Sequence, residues 1–172
     1  MNELNQRVYD LAKMHNACEP SLMIIPSLTT EGLLELFMDK IDYSLCSDFL
    51  NAGFLKNNAT KDQLNDAGIF VNEASVVRVD EPKSVFIGKT NGCVMSTEFS
   101  SVQLFIKDNS LIDLDAIENS FTVIDCFDNS RLHIIAKDNA NVYVSIYGQS
   151  QVTYESHNKS KVKLVYKNTD KY

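Results

Sequence analysis

The sequence predicts an α+β fold in which a small helical unit, residues 1–68, precedes a parallel β-helix, residues 69–172. Three observations predict it. Residues 100–167 repeat every ten residues, with a small residue at the same place in each block. After each small residue, apolar and polar residues alternate, which is the period of a strand with one buried face. Residues 1–68 instead show helical spacing and helix-capping residues. The small residues are Ser100, Ser110, Ser120, Ser130, Ala140, Ser150 and Ser160.

Helices are expected throughout the first unit. Residues 3–15 place apolar side chains on one stripe of a helix. Thr29 or Thr30 can cap the next helix, because a hydroxyl oxygen satisfies a free N–H group in the first turn. Residues 60–63 have the pattern of a capping box, and Gly68 is a typical helix stop.

Residues 69–99 are expected to form an irregular first coil of the β-helix. Residues 76–79, 84–87 and 93–95 have the composition of short strands, and glycine and proline separate them. Terminal coils of solenoids are commonly atypical, because an open end exposes unpaired backbone.

The ten-residue blocks favour a solenoid over a meander, because seven blocks in one phase would stack like residues on like. Asp-Asn-Ser turns suit tight corners, since Asn tolerates the left-handed region and Asp and Ser bond nearby backbone. Outward residues match best thirty apart, as with Lys107, Lys137 and Lys167. We therefore expect three strands per coil of about 30 residues, with two strands per coil as the second choice.

The composition and charge of the chain limit which partners and cellular locations are expected. The net charge is −7, and residues 1–80 carry 12 acidic but only 6 basic side chains. An acidic chain is a poor ligand for nucleic acid or anionic membranes, so we expect neither partner. No apolar run has membrane-spanning length and no secretion signal is evident, so we expect a protein of the host cytoplasm or of a virion. The four cysteines show no paired spacing and are expected to be free thiols.

Three segments and the repeats that follow them are similar to those of a known group of proteins. They are residues 30–36 (TEGLLEL), residues 41–46 (IDYSLC) and the glycine turn at residues 67–71, followed by the Asp-Asn-Ser repeats. Together they resemble a group of uncharacterised phage- and mobile-element-associated proteins of gut bacteria. The resemblance covers most of the chain and implies a phage or prophage setting. It implies no activity and no functional residue.

The sequence offers little for catalysis. It has no metal-binding Cys/His cluster, no phosphate loop and no nucleophile elbow, so we expect no enzyme, no metal and no cofactor. One alternative is a polysaccharide-acting protein whose functional groups are carboxylates. Parallel β-helices commonly act on polysaccharides through acidic side chains on an outer face. Asp113 and Asp115 would share one outer face, and Asp125 and Glu155 another. A solvated acidic row explains the same pattern.

Apolar residues on the outward rows point to protein contact. The candidate interface is Phe121, Val123, Phe127, Tyr143 and Tyr147. Clustered apolar residues outside a core commonly mark docking sites. We therefore predict a non-enzymatic structural or interaction module that self-associates or binds a protein partner.

Three further hypotheses stay open. The first is a carbohydrate-binding or carbohydrate-cleaving solenoid, and the second is an acidic mimic of nucleic acid that inhibits a host enzyme. The third concerns the lysines of residues 159–171, which either protect an exposed edge from pairing or dock on an acidic surface.

Overall fold

The computed structural model describes residues 2–48 and 50–170. The chain forms two compact units, Met1–Ala67 and Gly68–Tyr172. The first is helical and the second is a parallel β-solenoid of two sheets.

The described part of the first unit consists of short helices. They are α1 (Glu3–Met14), α2 (Glu19–Ile24), α3 (Thr30–Asp39), α4 (Ile41–Ser47), α5 (Ala52–Asn58) and α6 (Lys61–Asp66), with a 3-10 helix at Ile25–Ser27. Each is too short to be stable alone, so packing of their apolar faces must hold them. The buried side chains include Val8, Ala12, Leu33, Phe37 and Leu55.

Side-chain caps define most of the helix starts. Thr29 accepts a hydrogen bond from the N–H of Gly32, which confirms the predicted cap of α3. Thr60 and Gln63 form the predicted capping box of α6. Gly68 follows with a φ of 77°, a conformation that glycine adopts without a side-chain clash. Each cap removes an unsatisfied donor that would otherwise oppose helix formation.

Asn5 joins two segments of the helical unit. Its buried amide donates to the carbonyl of Ile25 at 2.9 Å and to that of Leu28 at 2.7 Å. These carbonyls lie at and just after the 3-10 helix, and the Ile25 carbonyl also accepts the N–H of Leu28 at 3.2 Å. Asn5 therefore fixes the 3-10 segment against α1.

Eleven strands are described in the second unit. They are β1 (Ile69–Val71), β2 (Val76–Val79), β3 (Lys83–Ile87), β4 (Asn91–Ser96), β5 (Ser101–Ile106), β6 (Leu111–Ala116), β7 (Phe121–Cys126), β8 (Arg131–Ala136), β9 (Asn141–Ile146), β10 (Gln151–Ser156) and β11 (Lys161–Tyr166). Odd-numbered strands form sheet A in the order β1-β3-β5-β7-β9-β11. Even-numbered strands form sheet B in the order β2-β4-β6-β8-β10, and neighbours in both sheets are parallel.

The prediction of three strands per coil is wrong. Each strand pairs with the next but one: Phe121 of β7 lies beside Ser101 of β5 and Asn141 of β9. Paired residues are therefore 20 apart in the regular region, and two strands complete a coil, as in the second-choice prediction. Lys107 and Lys137, which were expected to stack, follow strands of different sheets.

The segment 69–99 is more regular than expected. It holds β1 to β4, which supply the first two coils rather than one. The first coil is shorter, because Ile69 pairs with Val85 and Val76 with Gly92, at a spacing of 16 residues. From β3 and β4 onward the spacing is the regular 20 residues.

The predicted facing of the repeat strands is confirmed. The second, fourth and sixth residues after each small one point inward and are buried from β5 to β9, and Ile134 and Cys126 are fully buried. The small corner residues Ser110, Ser120 and Ser130 are also fully buried. Thr90 occupies the same position before β4 and is also fully buried. A small side chain fills this closely packed turn between the sheets, and this explains the ten-residue spacing of serine.

At four corners of the repeat an acidic residue, not the asparagine that follows it, takes the left-handed conformation, whereas Asn158 does so at the corner after β10. φ is about 60° at Asp108, Glu118, Asp128 and Asp138. Their carboxylates accept hydrogen bonds from backbone N–H groups of the preceding coil, as from Gly88 to Asp108 at 2.8 Å. The acid thus satisfies a donor that the turn leaves without a sheet partner.

Candidate interaction surfaces

Three of the five predicted interface residues form one exposed patch. Phe121 and Val123 lie on β7 and Tyr143 on β9, all on the outer face of sheet A. Val123 is directly beside Tyr143, and the rings of Phe121 and Tyr143 are 5.6 Å apart. Both aromatic side chains are 42% exposed. We call Phe121, Val123 and Tyr143 the aromatic patch.

The other two predicted residues do not belong to this patch. Phe127 and Tyr147 follow β7 and β9 at the corner, and their rings stack at 4.8 Å with an interplanar angle of 16°. Both are buried. Their stacking reinforces the vertical alignment of successive coils, since offset aromatic pairs add to plain area burial.

The aromatic patch continues onto β11. Val165 is exposed on the same outer face, and Lys163 lies directly beside Tyr143 with its ammonium 5.9 Å from the ring centroid. A cation near an aromatic face is weakly attracted to it. The prediction missed Val165, because a three-strand coil places β11 away from β9.

The carboxylates proposed for carbohydrate chemistry are only partly brought together. Asp113 and Asp115 share the outer face of β6, next to Cys93 on β4. Burial, and then the nearby charges of Asp115 and Asp113, raise the pKa of the Cys93 thiol. Asp125 is buried in sheet A, whereas Glu155 is exposed in sheet B, so that pair does not form.

A polar groove runs along the corner that leads into sheet B. Its volume is about 580 Å³. The lining side chains are mainly amides: Asn91, Asn109, Asn129, Gln149 and Gln151, with Leu111 and Arg131. Amides at this corner recur every twenty residues, so only a two-strand coil aligns them, and the prediction therefore missed the groove.

The helical unit contains an apolar cavity of about 320 Å³. Val8, Ala12, Ile25 and Phe37 supply part of its wall. Cys18 stands at its edge, where the Ser21 hydroxyl lies 3.1 Å from the sulfur and lowers the pKa of the thiol. No pattern in the sequence indicates this cavity, because its lining comes from helices that are distant along the chain.

The two ends of the solenoid differ in exposure. At the first coil Phe70 and Val76 are buried. At the last coil, inward-facing Tyr154 is 48% exposed and Tyr166 is 65% exposed, and Val152 is only partly buried. No strand within residues 2–48 and 50–170 pairs with the outer edge of β10 or β11. We call β10 and β11, with their inward rows, the open end.

The described residues contain no cluster of metal ligands and no membrane-spanning helix. Among them, no three His, Cys, Asp or Glu side chains are grouped as metal ligands would be. In the same part of the chain, every helix is too short or too polar to cross a membrane. In comparisons with protein families, curated proteins and solved structures, the chain matches no family, no curated protein and no solved structure.

Proposed function

We propose that this chain is a non-enzymatic protein-interaction module, in which the solenoid is a rigid support and the aromatic patch is the docking surface. The observation that carries the proposal is the side-by-side placement of Phe121, Val123 and Tyr143 on the outer face of one sheet. The resemblance to phage- and mobile-element-associated proteins extends the proposal to a phage or prophage setting.

The patch has the features of a contact surface. Aromatic residues dominate the binding energy of protein interfaces, since a ring buries a large area at a small loss of side-chain entropy. Phe121 and Tyr143 project from paired strands of a regular sheet, so little order is lost on binding. The buried inward row beneath them holds the strands in place.

Photocrosslinking in the native host tests this function. A photoreactive phenylalanine analogue replaces Phe121 or Tyr143 in separate variants, with Leu111 as the matched control. Leu111 is also an exposed apolar residue on an outer face, but it belongs to sheet B. We expect one protein adduct of defined mass from positions 121 and 143 and none from position 111.

A second substitution shows whether the patch itself is bound. Val123→Asp places a charge directly beside Tyr143, on the same strand face as Phe121, and should abolish the adduct while leaving thermal unfolding nearly unchanged. Equal adducts from all three positions, or no adduct from any, would overturn the proposed docking surface.

Carbohydrate binding is the second candidate, and the polar groove favours it. Amide side chains present donors and acceptors in a row, which suits the hydroxyl groups of a sugar chain. Binding to a glycan array that is lost with Asn109→Ala and Asn129→Ala but retained with Asp113→Asn would support the groove. Loss with Asp113→Asn alone would favour the acidic row instead.

A further inference from the structure

The open end presents two incomplete sheets at once. The outer edges of β10 and β11 carry backbone N–H and C=O groups that face no strand of the described chain. The inward residues Tyr154, Val162 and Leu164 lie between these edges and are only partly buried. Such an edge is a template for another strand, because main-chain hydrogen bonds supply affinity without a specific sequence.

The charges of the open end select among possible partners. The outer row of β11 begins with Lys161 and Lys163, both exposed. The outer row of β10 carries Glu155, also exposed, with His157 3.3 Å from its carboxylate. Opposite charges directly across two strands stabilise their pairing, and like charges destabilise it.

Self-pairing of like strands is therefore disfavoured. Two copies of β11 in antiparallel contact would place Lys161 and Lys163 of one copy among the same lysines of the other. Pairing β10 of one copy with β11 of the other is favoured instead, because it brings opposite charges together. Glu155 of one copy then lies opposite or next to Lys161 and Lys163 of the other, on the same outer face.

One symmetry operation makes both contacts together. The chain reverses direction at the four-residue corner between β10 and β11, so the two strands run oppositely on facing sheets. A two-fold axis parallel to the strands and midway between the sheets brings β10 of each copy beside β11 of the other, antiparallel. Such an interface is closed and self-complementary, as in most homodimers.

We propose that two copies of this chain join end to end through their open ends, with β10 of each copy pairing antiparallel with β11 of the other. Both sheets then continue across the dimer, and Val152, Tyr154, Val162 and Leu164 complete a shared core. This inference rests on the proposed interaction function, but it uses a different surface from the aromatic patch.

Charge reversal tests the proposed dimer. One variant carries Glu155→Lys, and a second carries Lys161→Glu with Lys163→Glu. Sedimentation equilibrium should show wild-type protein at twice the 19.4 kDa chain mass. Each variant alone has two repulsive contacts per dimer, so its dissociation constant should rise by at least about tenfold.

Mixing the two variants is the decisive measurement. In the mixed dimer both contacts again join opposite charges, so the dissociation constant should return towards the wild-type value. Asp113→Lys is the matched control, because Asp113 is an exposed acid on sheet B that lies away from the open end. It should leave dimerisation unchanged, and restoration on mixing shows that both variants are folded.

Three results would overturn the inference. The first is a monomeric wild type. The second is equal dimerisation of the wild type and of each charge-reversed variant measured alone, and the third is a mixture of the two variants that remains monomeric. The variant Val123→Asp, combined with the photoreactive residue at position 121, separates this inference from the proposed function. It should abolish patch crosslinking but leave the dimer mass unchanged, so either proposal can fail while the other stands.

Discussion

Replacing Ile134 by alanine should destabilise the solenoid strongly. The side chain is fully buried in the middle of the core, between Leu114 on β6 and Tyr154 on β10. The three carbon atoms lost contribute about 2.4 kcal/mol at about 0.8 kcal/mol per buried methylene. The cavity left behind adds to this, which gives a loss of roughly 2–5 kcal/mol. Neighbouring coils on both sides limit collapse of the cavity.

Lys137→Ala is the control for this prediction. Lys137 is exposed at the corner that follows the same strand, so its loss should change the free energy of unfolding by less than about 0.5 kcal/mol. Urea unfolding followed by circular dichroism measures both variants, and comparison of the denaturant slopes checks that the same transition is observed. Equal losses at positions 134 and 137 would refute the assigned inward and outward rows.

Three further predictions follow from the same structure. Leu114→Ala should cost roughly 3–5 kcal/mol of unfolding free energy, whereas Leu164→Ala at the open end should cost clearly less, because it is already partly exposed. Urea titrations of the monomeric charge-reversed protein compare the two, and equal costs would contradict the exposure of the last coil. Asp80 accepts two hydrogen bonds of 2.6 Å from a threonine of the next coil, and these lower the pKa of its carboxyl group. The stabilisation should therefore be present above the unfolded pKa of about 3.9 and lost as the pH falls through the lower folded pKa. Asp80→Asn should be less stable than wild type at pH 7, with a difference that shrinks on acidification; a constant difference would argue against the carboxylate. Finally, Cys18 should react with a thiol reagent much faster than Cys126, because Cys18 is exposed with a lowered pKa and burial raises the pKa of Cys126. Loss of the fast phase in Cys18→Ser checks the assignment.

The inward rows of the solenoid could be predicted because they depend only on a two-residue alternation. Any coil that buries these strands must place Leu114, Ile124 and Ile134 inside, whatever the number of strands per coil. For the same reason the inward rows could not reveal the coil length. They look alike in every block, so stacking at twenty or thirty residues fits them equally well.

The outward-facing residues do indicate the coil length, but the aromatic residues indicate it better than the lysines. Matching lysines thirty apart suggested three strands, although exposed charges gain little from stacking. The aromatic pair Phe127 and Tyr147, twenty apart, stacks in the structure at 4.8 Å. Aromatic contacts of this kind stabilise a specific register and are the better indicator.

The aromatic patch and the open end differ in how far the sequence revealed them. Phe121, Val123 and Tyr143 were identified as outward apolar residues, and the coil length then decided that they touch. The exposure of Tyr154 was not predicted, because alternation assigns it to the core. Only the position of β10 in the last coil leaves it uncovered.

The alternation of strands between two sheets restricts how the gene can gain or lose length. A deletion of one ten-residue block would move every later strand to the opposite sheet, and Tyr147 would leave the column of Phe127. A deletion or duplication of a twenty-residue pair keeps each side chain in its column. Evolutionary changes in length should therefore occur in even numbers of blocks, and variants with an odd number should be recovered only where the insertion lies beyond the last coil.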